Sequence, residues 1–353
     1  MLRLRDLAPW ALLALAVAFA PSALGPTGTS LALAATAALG AALGGLLWAV
    51  GAAHAGRAAP LLRGLAWAAL LIPPYLSAVG LIELCGPAGR LPRALGWVDG
   101  PLPTAQGAIY ESWRISGLTL AGAWLPLVGL AVEAAWRRLD PRAVDAARLV
   151  GGRFGEWGLR LSVARAPAGV GALAVGIASL GEFATAQLLR VPVLAEAVHL
   201  EAHAPLQAAW HSLPLLIAGL VGLGGCLAIA RRPLPSAGGA RVAPPGWGGW
   251  LLAVLGALAL LVLGLGLPLG FLLTRLGSRP GSPGIWASAL AALDDTWVFA
   301  RRDVATTGGV AAVTATWVTA LALLAVSWTR DAKRLWHLAL LVPAVLLAAT
   351  PRP

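Results

Sequence analysis

The sequence predicts an all-α protein, a polytopic membrane helical bundle of about nine spans. Three observations lead there. Of 353 residues, 59% are hydrophobic and only 12% charged, with a mean hydropathy of +0.79; a soluble chain carries roughly twice that charge. The charges are also segregated. Residues 7–56, 64–82, 115–132, 166–181, 202–230, 242–274, 304–329 and 335–351 contain no Asp, Glu, Lys or Arg. Finally, those gaps have the right length, since a hydrocarbon core of roughly 30 Å is crossed by about 20 helical residues. Such a composition excludes a soluble enzyme and a disordered chain. The net charge of +11 does not imply nucleic-acid binding, because the positive charge lies in short loops and not on one polar face.

Each gap gives its element. The first is long enough for two spans, near 8–24 and 30–53, broken around Pro21–Gly28. Met1–Gly25 has the basic start and apolar stretch of a signal peptide. Its candidate cleavage site after Ala20 is followed by Pro21, which disfavours cleavage, so an anchored first span is expected. The remaining spans fall near 64–84, 115–135, 167–189, 209–230, 248–273, 304–328 and 335–350. Each must be helical, because lipid satisfies no open backbone.

Orientation follows from the basic residues. With the N-terminus in the cytoplasm, the inner segments hold 17 of the 26 Lys and Arg, including seven Arg between 137 and 165. The positive-inside rule favours this arrangement. Trp48, Trp136, Trp210 and Trp328 recur near span ends, as an aromatic belt would. Cys85 and Cys226 fall at the end of span three and inside span six, and suggest neither a disulfide nor a metal site.

The chain reads as though it begins twice. Leu71-Ile72-Pro73 sits in a span after a short basic loop, and Leu341-Val342-Pro343 does the same. A small-residue span precedes each, starting at Thr29-Ser30 and at Thr306-Thr307. Duplication of this kind is common in transporters. The expected organisation is a first half over 1–240, of about six spans, and an incomplete second half over 241–353, of about three. The Pro/Gly/Arg stretch Arg231–Gly249 joins them.

The most basic loop, 136–166, carries the sharpest signal. Asp140 is a good N-cap and Pro141 a good first helical residue. Gly151 and Gly152 end that helix, with the left-handed turn expected at Gly151. A second short helix follows over about Gly155–Leu161. Ala143, Ala146, Ala147 and Val150 fall at i, i+3, i+4 and i+7 and make a narrow, small-residue face. A short smooth-faced helix at the membrane surface suits a groove on a soluble partner. A solvated basic loop that only sets topology is the alternative.

This loop resembles the EAA loop of ATP-binding-cassette (ABC) importer permeases: Glu-Ala-Ala, three residues, Gly, nine residues, then Ile-x-Leu-Pro. Asp145-Ala146-Ala147 stand in the first positions and Gly151 is in register; Leu161-Ser162-Val163-Ala164 replace the last. Trp124-Leu125-Pro126 resembles the Tyr-x-Pro of iron- and thiamine-type permeases. Ser179-Leu180-Gly181-Glu182-Phe183 resembles their Gly/Arg-Glu-Phe, and Leu194–Trp210 their amphipathic outer segment. The resemblance covers the first half and the opening of the second. It implies a type I ABC importer permease fold with a partial second repeat, in a bacterial inner membrane. It also implies partners: a separate ATPase that docks on Asp145, Ala146, Ala147, Gly151, Leu161 and Val163, and a solute-binding protein outside. Ferric iron or thiamine is the implied cargo. No Gly-x-x-x-x-Gly-Lys-Ser/Thr occurs, so an ATP site is not expected in this chain. No cofactor is expected either.

Glu182, with Phe183 beside it, is the informative charge within a predicted span. It either lines the path or gate, or stabilises helix packing by hydrogen bonds. Glu83, Glu111 and Arg114 are expected in or near an outer loop. His199 and His203 are four apart, but no further ligand is evident, and a polar rim is the better reading. His54 and His337 read as interfacial. An ion-coupled secondary transporter is the second function class, weakened because only Glu182 is a clear coupling acid. A membrane enzyme is weaker still, since no paired acids or His cluster is apparent. In a background lacking Cys85 and Cys226, cysteines at Gly151 and Gly100 should react with an impermeant maleimide from opposite sides of the membrane. Reaction of both from outside would reverse the orientation.

Overall fold

The computed structural model describes residues 25–86, 89–94, 110–201, 205–230 and 247–276, with isolated positions beyond. Among them the protein is all-helical. The helices are α1 (Gly25–His54), α2 (Ala59–Leu70, preceded by a 3-10 turn at Gly56–Ala58), α3 (Pro74–Cys85), α4 (Arg90–Ala94) and α5 (Trp113–Arg137). There follow α6 (Pro141–Leu180), α7 (Ala184–Leu188), α8 (Leu194–Leu200), α9 (Pro205–Ala230), α10 (Trp247–Ala259), a π-helical turn (Leu260–Gly266) and α11 (Leu267–Leu276). Four stretches are long and apolar enough to cross a membrane: α1, α5, α6 and Val254–Phe271. The bent pair α2–α3 would make a fifth, and α9 carries a shorter apolar stretch, Ser212–Gly222. The spans expected near 8–24, 304–328 and 335–350 lie outside the described residues.

The centre is a seam between α1 and α5. A Cβ on Gly40 would lie 2.7 Å from the Ala121 Cβ, and one on Gly45 would lie 2.8 Å from the Gly129 backbone nitrogen. A Cβ on Gly129 would lie 2.6 Å from Cε3 of Trp48, which is fully buried. Glycine at these places lets two backbones approach, the usual means of helix association in lipid. Partners rise together along both helices, so α1 and α5 run parallel. α6 runs opposite to α5: Gly171 faces Val128, while the Trp136 indole reaches the Arg160 carbonyl. α9 reverses again, with Gly222 over Ile177 and Gly225 over Leu173. Val254–Phe271 then reverses once more, with Gly256 on Leu47–Trp48 and Leu263 on Gly122. From α5 onward the direction therefore alternates from one pass to the next. One compact unit extends to Leu273, so this last pass packs with the described helices that precede it.

Three sequence expectations need correction. Span three is broken: α2 and α3 meet at 91°. Pro73 and Pro74 are adjacent, so two backbone donors are missing at one point, and a residue before Pro avoids the helical region. Pro73 is extended (φ −58°, ψ 134°), and Pro74 starts α3 as a first-turn proline. The trough of small residues at Gly264, which lies in the π-helical turn, receives Ala69 of α2. Second, span five ends at Leu180, where Gly181–Phe183 interrupt it, and does not run to 189. Third, Trp48 and Trp136 are buried in the bundle rather than placed in a lipid-facing belt; Trp210 is exposed, and Trp328 lies outside the described residues.

Gly45→Val should test the seam. Overpacking a fitted contact costs about 1–3 kcal/mol, so thermal unfolding in detergent should shift down, whereas Gly64→Val, whose Cβ meets nothing within 4 Å, should leave it unchanged.

Candidate functional site

The His54 end of the bundle carries a hairpin built from the first part of α6. Its start is as expected: the Asp140 side chain accepts the Arg142 amide at 2.9 Å, and Pro141 follows. The turn falls one residue later than expected. Gly152 has φ 57° and ψ −142°, whereas the positive-φ glycines do not include Gly151. A residue with a Cβ is unfavourable at Gly152. The expected separate helix over 155–161 is instead the opening of one run that continues through Pro167 to Leu180. With Gly152 supplying the whole turn, nothing in 155–166 breaks the helix again.

A buried ion cluster closes the hairpin across this turn. Arg148 Nε donates to Glu156 Oε2 at 2.7 Å, and Arg160 Nε donates to Glu156 Oε1 at 2.9 Å. Asp145 adds an exposed pair to Arg148 at 3.6 Å. Glu156 and Arg160 are buried, Arg160 completely. Trp136 donates its indole N–H to the Arg160 carbonyl at 2.9 Å, and Trp157 stands edge-on to Trp136. His54, the last residue of α1, stacks on Trp157 with centroids 6.1 Å apart. Burial pushes the Glu156 carboxyl up, but hydrogen bonds and charge from Arg148 and Arg160 outweigh it and hold it below the ordinary carboxylate range.

Held this way, the hairpin presents an apolar tip. Leu149, Val150 and Phe154 are 88%, 93% and 92% exposed. Of the predicted stripe, Ala143, Ala146 and Val150 are exposed, and Ala147 is half-buried, with its carbonyl over Gly155. The residue that this helix buries is Val144, outside the stripe. Asp145 and Gly151 are exposed, Leu161 is partly exposed and Val163 is half-buried against the core. All six predicted docking positions therefore lie along one hairpin and its continuation. Sequence reasoning misses Phe154, Glu156 and Arg160. Glu156 four residues before Arg160 is a readable helical ion pair, and it is the available signal. Phe154 gives none, because it follows the turn whose position the sequence leaves open.

The opposite end holds the other predicted residues. Glu182 Oε1 accepts from the Thr185 amide and hydroxyl at 3.0 and 3.1 Å, capping α7. Phe183 stacks on His199 at 4.8 Å. Glu182 and Phe183 are half-buried, just past the end of α6 that lies away from the hairpin. The bonds from Thr185 tie Glu182 to the start of α7. The Leu194 amide donates to Ser30 Oγ at 2.8 Å in a buried contact, and the Glu111 amide donates to the Leu189 carbonyl at 2.8 Å. Glu111 and Arg190 both take positive φ, and the Arg190 guanidinium lies over the Tyr110 ring. Glu83 lies in α3, Arg114 over the Trp113 ring. His203 and His337 lie outside the described residues. Among the described residues no group of three His, Cys, Asp or Glu is placed to hold a metal.

No family profile matches the chain, and no curated protein matches it.

Glu156→Gln leaves Arg160 buried beside an uncharged partner, and breaking a buried pair costs about 3–5 kcal/mol. The folded-state value of Glu156 lies below its unfolded one. The stabilisation is thus complete above the ordinary carboxyl value of about 4.3 and is lost as pH falls through the folded value. Unfolding followed by tryptophan fluorescence should lose stability on acidification in the parent, and lose less in Glu156→Gln. Gly152→Val should destabilise the hairpin in the same assay, while Gly151→Val, with open space around it, should not.

Proposed function

We propose that the chain is the membrane-spanning permease subunit of an ABC importer of a bacterial inner membrane. In this reading the N-terminus and the hairpin at the His54 end are cytoplasmic. The chain has about nine spans in the type I arrangement. A separate ATPase supplies the work and a solute-binding protein delivers the cargo on the other side, ferric iron or thiamine being the cargo that the Glu182-Phe183 resemblance favours. The chain itself does no covalent chemistry.

The observation that carries this reading is the apolar tip on a braced hairpin. Three large apolar side chains are held almost fully in the open on a loop whose base is locked by buried ion pairs. Exposed apolar groups so arranged mark an interaction site. The hairpin carries Arg142, Arg148 and Arg153, and basic residues beside a bilayer belong on its cytoplasmic side. The acidic-Ala-Ala-x-x-x-Gly register lies on this same hairpin. Glu182 and Glu133 are both engaged by neighbours, which weakens the ion-coupled alternative.

The proposed mechanism uses this hairpin. The tip enters a groove on the ATPase. Closure of the ATPase pair displaces the tip, and the ion cluster prevents the hairpin from folding at Gly152 instead. The displacement passes into α6 as one body, and so into its antiparallel contact with α5.

The experiment is co-purification of the ATPase from native membranes on a tagged permease. Burying a Phe side chain is worth about 1.5–3 kcal/mol, so Phe154→Ser should weaken ATPase retention about tenfold or more at normal membrane yield. Ala147→Trp should do the same by overfilling the fit. Arg142→Gln should retain the ATPase. Parental retention by both Phe154→Ser and Ala147→Trp would leave the hairpin a topology signal and end the permease reading.

A further inference from the structure

Docking at the tip leaves a second buried carboxylate at the His54 end without a task. Glu133 of α5 is 2% exposed. Its Oε1 accepts from Arg63 Nη2 at 3.0 Å and Nε at 3.2 Å, and Arg137 Nε lies 3.2 Å from the same oxygen. Arg63 belongs to α2, the first limb of the broken span. One turn beyond Glu133 on α5, Trp136 holds the carbonyl of Arg160, which is the buried end of the hairpin cluster. Polar contacts run from Arg148 through Glu156 and Arg160 to Trp136, the helix of α5 itself joins Trp136 to Glu133 one turn away, and Glu133 holds Arg63 of the broken span.

The far side of this chain of contacts ends on a corner. α2 is 12 residues long, a lever of about 18 Å. It meets α3 at 91°, and Leu71 at the corner is 84% exposed, so few neighbours hold the bend. A Cβ on Gly64, beside Arg63, would meet nothing within 4 Å. Along its length α2 is buried only at Ala59, Ala66 and Ala69. Among the described residues, the Arg63–Glu133 pair is a directional side-chain contact that ties α2 to α5. Desolvating such a pair costs several kcal/mol, and an apolar pair would pack as well. What the ion pair adds is a fixed registry between two elements.

We infer that Glu133 and Arg63 form the joint that carries displacement of the hairpin into α2, and that the corner at Leu71–Pro73 is the hinge on which the broken span swings. Both are positioning residues; neither touches cargo. The inference rests on the permease reading and adds to it the element that moves.

The test uses the chain assembled with its ATPase in lipid vesicles. Spin labels are placed at Leu61 on α2 and Leu84 on α3, in a Cys85→Ser, Cys226→Ser background. Their distance distribution is recorded without nucleotide and after trapping with ATP and vanadate. In the parent the distribution should shift on trapping. Arg63→Gln should keep the ATPase bound and hydrolysing but lose the shift, and Arg63→Lys, which keeps one charged donor, should restore it. An unchanged distribution in the parent overturns the hinge, whether or not any variant folds. A parental shift in Arg63→Gln overturns the joint while leaving the permease reading intact. Failure of the ATPase to co-purify with the parent overturns the permease reading, and this inference with it.

Discussion

Lipid offers helices no hydrophobic reason to associate, so the bundle depends on how closely two backbones can approach. The seam of α1 and α5 meets that constraint with Gly40, Gly44 and Gly45 on one side and Gly117 and Gly129 on the other. The gain is dispersion contact, small per atom and large in sum. Trp48 is the largest side chain seated in the seam, and Gly129 makes its room. The later passes are arranged around this pair. α6 lays Gly171 on Val128 and Gly176 near Ala38, and Val254–Phe271 uses Gly256 against Leu47 and Trp48.

The two ends of the bundle are held by different physics. At the Gly25 end the ties involve backbone: a capped short helix, an amide on Ser30 Oγ and an amide on the Leu189 carbonyl. At the His54 end they are charged, with two carboxylates, Glu133 and Glu156, each between two arginines. Charge-assisted bonds are stronger and more directional than neutral ones. The end proposed to receive work from a partner is therefore the stiffer one. The corner in the broken span lies between these ends, where the backbone is interrupted by two prolines and neighbours are few.

What could be read from the sequence divides along the same line. Apolar length locates α1, α5 and α9 to within a few residues, and local capping chemistry locates the Asp140-Pro141 start of the hairpin. Choosing between Gly151 and Gly152 is beyond local rules: adjacent glycines are equally permissive, and the Arg148–Glu156 bond across the turn selects the second. The Pro73-Pro74 pair is visible, yet a charge-free run of the right length reads as one straight span. Glu133 lies just past a charge-free gap, where a carboxylate reads as the solvated end of a span. Its burial depends on Arg63, seventy residues earlier, and no periodicity connects them.

The glycine seam also sets the direction in which this protein is fragile. In a water-soluble core, harm comes mostly from deletion, when a large side chain shrinks and leaves a void. Here most of the seam is already at the minimum, so there is little to delete. Harm comes from growth, by as little as one methyl group. The Gly and Ala codons differ at a single base, so the smallest change available at Gly45 places a carbon 2.8 Å from the Gly129 nitrogen. The reverse change at Ala121, which faces Gly40, brings no atom closer. Drift between the two smallest residues, harmless on most surfaces, is one-directional along this line.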